Sequence, residues 1–94
     1  MKAKIEQYTS VWDAIADSPE QAANLRARAD LIRQIADYIQ SKGWKQVEAA
    51  ERCGVTQPRI NELINGRVSR FSLDALVNIA TALGFEVKLL LKAA

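Results

Sequence analysis

The segment from Trp44 to Gly66, WKQVEAAERCGVTQPRINELING, restricts the fold of this chain more than any other stretch. Its pattern predicts two short helices joined by a tight turn at Gly54. Ala49 and Ala50 are small where a second helix has to cross closely. Gly54 can adopt the left-handed conformation that ends one helix and reverses the chain. Val55 follows as an apolar plug, and Thr56 can cap the next helix. Ile60, Leu63 and Ile64 then recur at helical spacing and face inward. Pro58 falls in the first turn of that helix, where its missing N–H is not needed. Gln57, Pro58, Arg59, Asn61 and Glu62 remain on the outer side. This is the pattern of a helix-turn-helix, in which the second helix can present its first turns to the DNA major groove.

The rest of the chain supplies supporting elements. Residues 1–9 are polar and unpatterned and read as a loose arm. Ser10 and Asp13 form a capping signal for a short helix over 10–17, with Val11, Trp12, Ile15 and Ala16 as its apolar side. Ser18-Pro19-Glu20-Gln21 starts a second, long helix over 19–42. Ser18 is the cap, Pro19 the first helical residue, and Gln21 is in reach of a capping box. Leu25, Ala29, Ile32, Ala36 and Ile39 recur at steps of three and four, and Leu31, Ile35 and Tyr38 widen the stripe. Lys42-Gly43 ends this helix. The helix-turn-helix pair is expected over 45–53 and 56–65, within a 44–66 unit. Asn65-Gly66 terminates its second helix, 67–71 is a loop, and Ser72 caps a last helix over 72–83 that Gly84 stops. From Phe85 the apolar period changes to two: Val87, Leu89 and Leu91 alternate with Glu86, Lys88 and Lys92 over 85–92, which predicts one strand. The expected fold class is therefore mainly all-α: a single domain of five helices with a C-terminal strand.

Composition removes several function classes. With no His and a single Cys in 94 residues, an internal disulfide and ordinary zinc sites are excluded. Cys53 reads as a small core residue before the turn. No activated-cysteine context, paired-carboxylate or phosphate-loop motif is present, so no enzyme, metal or cofactor is expected. No apolar run approaches the roughly 20 residues needed to span a bilayer, and Met1 to Tyr8 lacks a signal-peptide core. A cytoplasmic protein with no membrane partner is expected. The net charge of +2 rules out a broadly basic nucleic-acid binder, but its placement is uneven. Residues 1–43 carry six basic and six acidic side chains, whereas residues 44–94 carry seven and five. Arg59, Arg67 and Arg70 face Glu62 alone between Thr56 and Phe71, which suits phosphate docking.

Within this frame Gln57 is the strongest candidate for reading a base, because an amide can pair with adenine N6 and N7 together. Thr56 can cap the helix and offer its methyl to thymine. Arg59 can reach a guanine edge or a phosphate. Asn61 and Glu62 are exposed on the same helix; Glu62 can accept from cytosine N4 or repel misplaced phosphates. Asn65, Arg67 and Arg70 read as phosphate contacts beyond the helix. Gln46 starts the preceding helix beside Gln57. Trp44 reads as core. Trp12 either packs on the long helix or meets a partner protein.

Through Gln46, Ala50, Gly54-Val55, Thr56-Gln57, Ile60 and Asn65-Gly66 in their relative spacing, the segment resembles the Cro/C1 repressor (Xre) family of helix-turn-helix proteins. The resemblance implies a lambda-repressor-like domain that binds double-stranded DNA. It also implies that Gln46 bonds a backbone phosphate and braces Gln57. Position 45 is often Thr or Ser in that family. Lys45 here forgoes a side-chain cap worth about 1 kcal/mol and can add a phosphate contact. Ser10 to Glu20 and Phe71 to Val77 further resemble HigA-type antitoxins encoded beside RelE-like toxins. That closer likeness implies a repressor of its own operon that neutralises a small RelE/HigB-like toxin, with Trp12 and the segment from Ser10 to about Arg28 as a toxin surface. A stand-alone Xre-family regulator shares every residue of the second helix and stays open beside it.

A lone strand leaves N–H and C=O groups unpaired along both edges. Pairing with the same strand of a second copy, antiparallel about a two-fold axis, would satisfy one edge and bury Val87, Leu89 and Leu91. A homodimer of this kind would hold two recognition helices about 34 Å apart, the spacing that a palindromic operator requires. The alternative is that the strand folds back on its own helices.

Overall fold

The computed structural model describes residues 16–93. Among them lie four α-helices: α1 Pro19–Lys42, α2 Gln46–Cys53, α3 Gln57–Ile64 and α4 Leu73–Ala82, with one 3-10 turn, Val68–Arg70, between α3 and α4. Each of the four lies within one residue of the span expected from its caps. The further helix expected over 10–17 falls outside the described residues apart from Ala16 and Asp17, which are not helical.

α1 begins where Ser18 accepts a hydrogen bond from the Gln21 N–H at 3.0 Å. Gln21 returns the interaction through its side-chain oxygen to the Asp17 N–H, one residue earlier than a standard capping box would place it. The helix ends at Gly43, whose φ of 67° is left-handed. At 1.5 Å per residue, its 24 residues reach about 36 Å, so α1 runs the full 37 Å length of the described molecule. It packs against α3, α4 and the 3-10 turn, while α2 packs against α3 and α4.

The core lies where these elements meet. Ile32, Ile35 and Ile39 from α1, Ala49, Ala50 and Cys53 from α2, and Ile60 and Leu63 from α3 form one buried cluster with Val68, Phe71, Leu76, Ile79 and Ala80. Ala49, Ile60, Leu63 and Leu76 are wholly shielded from solvent, and α2, which carries Ala49, packs against α3. Ile64, expected to face inward, is 45% exposed at the end of α3. Trp44 is half-buried against this core and meets Tyr38 edge-on at 6.0 Å. Tyr38 also meets Phe85 edge-on at 4.7 Å, so one ring joins the end of α1, the entry to α2 and the exit from α4.

The expected strand over 85–92 is not formed: residues 85–93 have neither helical nor ladder structure. The alternation does not place the three apolar residues alike either. Val87 packs against the core, whereas Leu89, Leu90 and Leu91 are 92%, 91% and 99% exposed. The physical reason is the lack of a second edge. A β ladder needs inter-strand bonds, and the described part of this chain offers only helices, whose backbone groups are already paired. Among the described residues, no helix is long and apolar enough to cross a membrane.

Candidate nucleic-acid interface

The turn between α2 and α3 fixes the site. Gly54 takes φ 70° and ψ 30°, and the Val55 N–H donates to the Ala50 carbonyl at 3.0 Å, closing the end of α2. Two residues later the Thr56 hydroxyl accepts from the Arg59 N–H at 3.4 Å, and the Ile60 N–H donates to the Thr56 carbonyl at 3.1 Å. Thr56 is therefore the N-cap of α3, Gln57 its first residue and Pro58 its second. The inward set Ile60 and Leu63 turns Gln57, Pro58 and Asn61 to solvent.

Gln57 at the start of α3 and Gln46 at the start of α2 are both exposed. Neither amide makes a hydrogen bond to another of the described residues. Lys45 occupies the N-cap of α2 without a side-chain cap bond, as its side chain dictates, so its ammonium is left in solvent. Two helix N-termini, each with positive dipole character and an exposed glutamine, thus open onto solvent at the start of a packed helix pair. Asn61 and Asn65 are coupled. The Asn65 amide donates to the Asn61 carbonyl at 2.9 Å and to its side-chain oxygen at 3.1 Å, which leaves the Asn61 NH₂ outward as a donor. Arg67 is exposed, and its guanidinium pairs with no described residue. Its backbone N–H donates to the Glu62 carbonyl at 3.0 Å and fixes where the side chain emerges.

Arg59, Glu62 and Arg70 form a cluster. The Arg59 guanidinium lies over the buried Phe71 ring at 4.3 Å and donates to the Arg70 carbonyl at 2.7 Å. Its Nη1 is also 3.4 Å from Glu62 Oε1, while Arg70 Nε is 3.3 Å from Glu62 Oε2. Of the sequence candidates, Lys45, Gln46, Gln57 and Arg67 stand unengaged toward solvent, whereas Arg59, Glu62 and Arg70 are brought together on one another. Trp12 lies outside the described residues.

Sequence reasoning missed Arg28. From α1 its Nη1 donates to the carbonyls of Val68 and Phe71, each at 3.2 Å, and so holds the turn that carries Arg67 and Arg70. Its Nε is buried without a hydrogen-bond partner. A signal was present: Arg28 falls three residues after Leu25 and four before Ile32, on the core-facing stripe of the helix. Cys53 is buried behind the turn, and burial pushes its thiol pKa up.

The arrangement offers amide donors and acceptors at the start of α3 and exposed cations at Lys45 and Arg67. A family model described as a helix-turn-helix domain matches residues 14–92. No curated protein matches the chain.

Proposed function

This chain belongs to the helix-turn-helix domain family, and on that premise we propose that it is a sequence-specific DNA-binding transcriptional repressor. The observation that carries the reading is Gln57, exposed at the first position of the Thr56-capped α3 and without a hydrogen-bond partner among the described residues. Gln57 reads a base, adenine by its donor–acceptor pattern, with Thr56 and Asn61 beside it. Lys45, Gln46, Asn65, Arg67 and Arg70 bind phosphates. The test is selection of duplex DNA from a random pool by the protein, followed by binding of Gln57→Ala. A loss of roughly 1–3 kcal/mol on the selected site, with relaxed preference at one base pair, supports the reading. Equal binding of all sequences with unchanged affinity would refute the base-reading role.

We propose further that the protein works in the cytoplasm as a homodimer on a palindromic operator. The support is the run of exposed leucines at 89–91, an apolar segment that water does not favour leaving open. Sedimentation of the full chain and of a chain ending at Gly84 tests this; a shortened chain that stays folded and dimeric removes the tail from the interface. The likeness of Ser10 to Glu20 and Phe71 to Val77 to HigA-type proteins supports a role as the antitoxin of a toxin–antitoxin operon. Co-purification with a small basic protein from the adjacent gene separates that role from a stand-alone regulator.

A further inference from the structure

We propose that Glu62 is a built-in competitor of DNA phosphate: it occupies Arg70 in the free protein and sets how strongly the surface binds nucleic acid of any sequence. The inference rests on the DNA-binding reading above and concerns how that site is regulated.

The geometry is specific. Each carboxylate oxygen of Glu62 holds a different guanidinium, Oε1 that of Arg59 at 3.4 Å and Oε2 that of Arg70 at 3.3 Å. The Glu62 side chain is only 25% exposed, whereas that of Arg70 is 63% exposed. The acid is therefore the sheltered partner, and the base is the one that can reach out. Arg59 is fixed in place: its guanidinium face is against Phe71, and its Nη1 donates both to the Arg70 carbonyl at 2.7 Å and to Glu62 Oε1 at 3.4 Å. Arg59 thus braces the backbone of Arg70 while Glu62 holds its side chain, so both grips on Arg70 come from the outer face of α3.

The consequence is a matter of charge. Along Thr56 to Phe71, Glu62 is the single acid among Arg59, Arg67 and Arg70. A phosphate arriving at Arg70 has to share that guanidinium with a carboxylate already in contact. The counterion gain of the contact is cancelled in large part, because affinity for any duplex follows the number of phosphates neutralised. Contacts to base edges made by Gln57 do not pass through this cluster. Glu62 therefore competes with phosphate for Arg70 rather than reading cytosine.

The test is a double-mutant cycle on the full chain, with random-sequence duplex DNA as probe across about 50–200 mM salt. Melting curves verify that each variant is folded; Glu62→Gln keeps the length of the side chain but removes its charge and leaves one acceptor oxygen where the carboxylate had two. Glu62→Gln should raise affinity for random duplex by about tenfold near 0.1 M salt and steepen the salt slope by about one unit. In an Arg70→Gln background the same change should have no such effect. If the gain persists without Arg70, Glu62 simply repels phosphate and the proposal is wrong. If Glu62→Gln instead weakens binding and alters the preferred base at one position of the selected site, Glu62 is a base reader and the proposal is also wrong. If the unaltered protein binds no duplex at any salt, the DNA-binding reading falls first, an outcome distinct from either of these.

Discussion

Replacing Gly54 by Ala tests the turn on which the interface depends. Gly54 has φ +70° and Gly43, at the end of α1, has φ +67°; a Cβ added to either would meet nothing within 4 Å. No steric term therefore enters at either site, and only the backbone preference remains. A residue with a Cβ in the left-handed region costs about 1–2 kcal/mol. The lower entropy of the unfolded chain with Ala returns about 0.4–1 kcal/mol. The net destabilisation should be about 1 kcal/mol, or a fall in Tm of about 4–8 °C for a domain of this size. Gly43→Ala should cost the same within about 0.5 kcal/mol, since its geometry is the same and it lies far from the turn in sequence. Gly54→Asn should cost less, because Asn visits the left-handed region more readily. Circular dichroism through urea and thermal unfolding reads all three. A loss above about 3 kcal/mol at Gly54 with about 1 kcal/mol at Gly43 would mean that close packing rules the turn. No loss at either site would remove the dihedral argument altogether.

Three further outcomes are expected. Arg67→Ala should weaken selected and random duplexes alike and flatten the salt slope by about one unit, as a free phosphate-binding cation requires; an unchanged slope would dismiss that role. Arg28→Met keeps the apolar stem but removes the donor to the Val68 and Phe71 carbonyls. It should cost about 2 kcal/mol and speed amide exchange at residues 68–71; exchange rates equal to those of the unaltered protein would show that the turn holds itself. Burial raises the Cys53 pKa, so the fold favours the neutral thiol. Its contribution to stability is complete below the unfolded thiol pKa of about 8.5 and is lost as pH rises through the higher folded value. Native protein at neutral pH should resist thiol labelling until urea unfolds it. Rapid labelling without denaturant would show that the turn opens far more often than global unfolding allows.

The helices were legible because their ends carry chemistry that acts locally. Ser18, Thr56 and Ser72 each accept the backbone N–H three residues on, and Gly43 and Gly54 take the left-handed angles that stop α1 and α2. None of these interactions needs a distant part of the chain. The apolar period likewise marks Ile32, Ile39 and Ile60 as interior, and all three are buried. What could not be read is tertiary. Arg28 reaches carbonyls 40 and 43 residues away. Arg59 finds Phe71 only because the chain folds back after α3. The C-terminal alternation states which residues share a face but not whether an edge exists to pair with, so a pattern valid for a strand led to a segment without one. The candidate base-reading and phosphate residues were placed by the turn and by helical phase. Which of them are already engaged with each other depends on side-chain reach, and helical phase does not supply that.

The contact of Phe85 with Tyr38 also sets a length. The Phe85 N–H donates to the Ala80 carbonyl at 2.9 Å, its ring sits edge-on to Tyr38, and Val87 still rests on the core. The chain is thus held to the body of the domain until residue 87, and Leu89 follows only two residues later. Fully extended, that is about 7 Å of tether. Anything gripped by Leu89–Leu91 is consequently held close to the domain, with little slack. Two copies joined there would behave as a caliper of nearly fixed opening. Lengthening the chain by a few glycines between Val87 and Lys88 would loosen the caliper without altering either reading head.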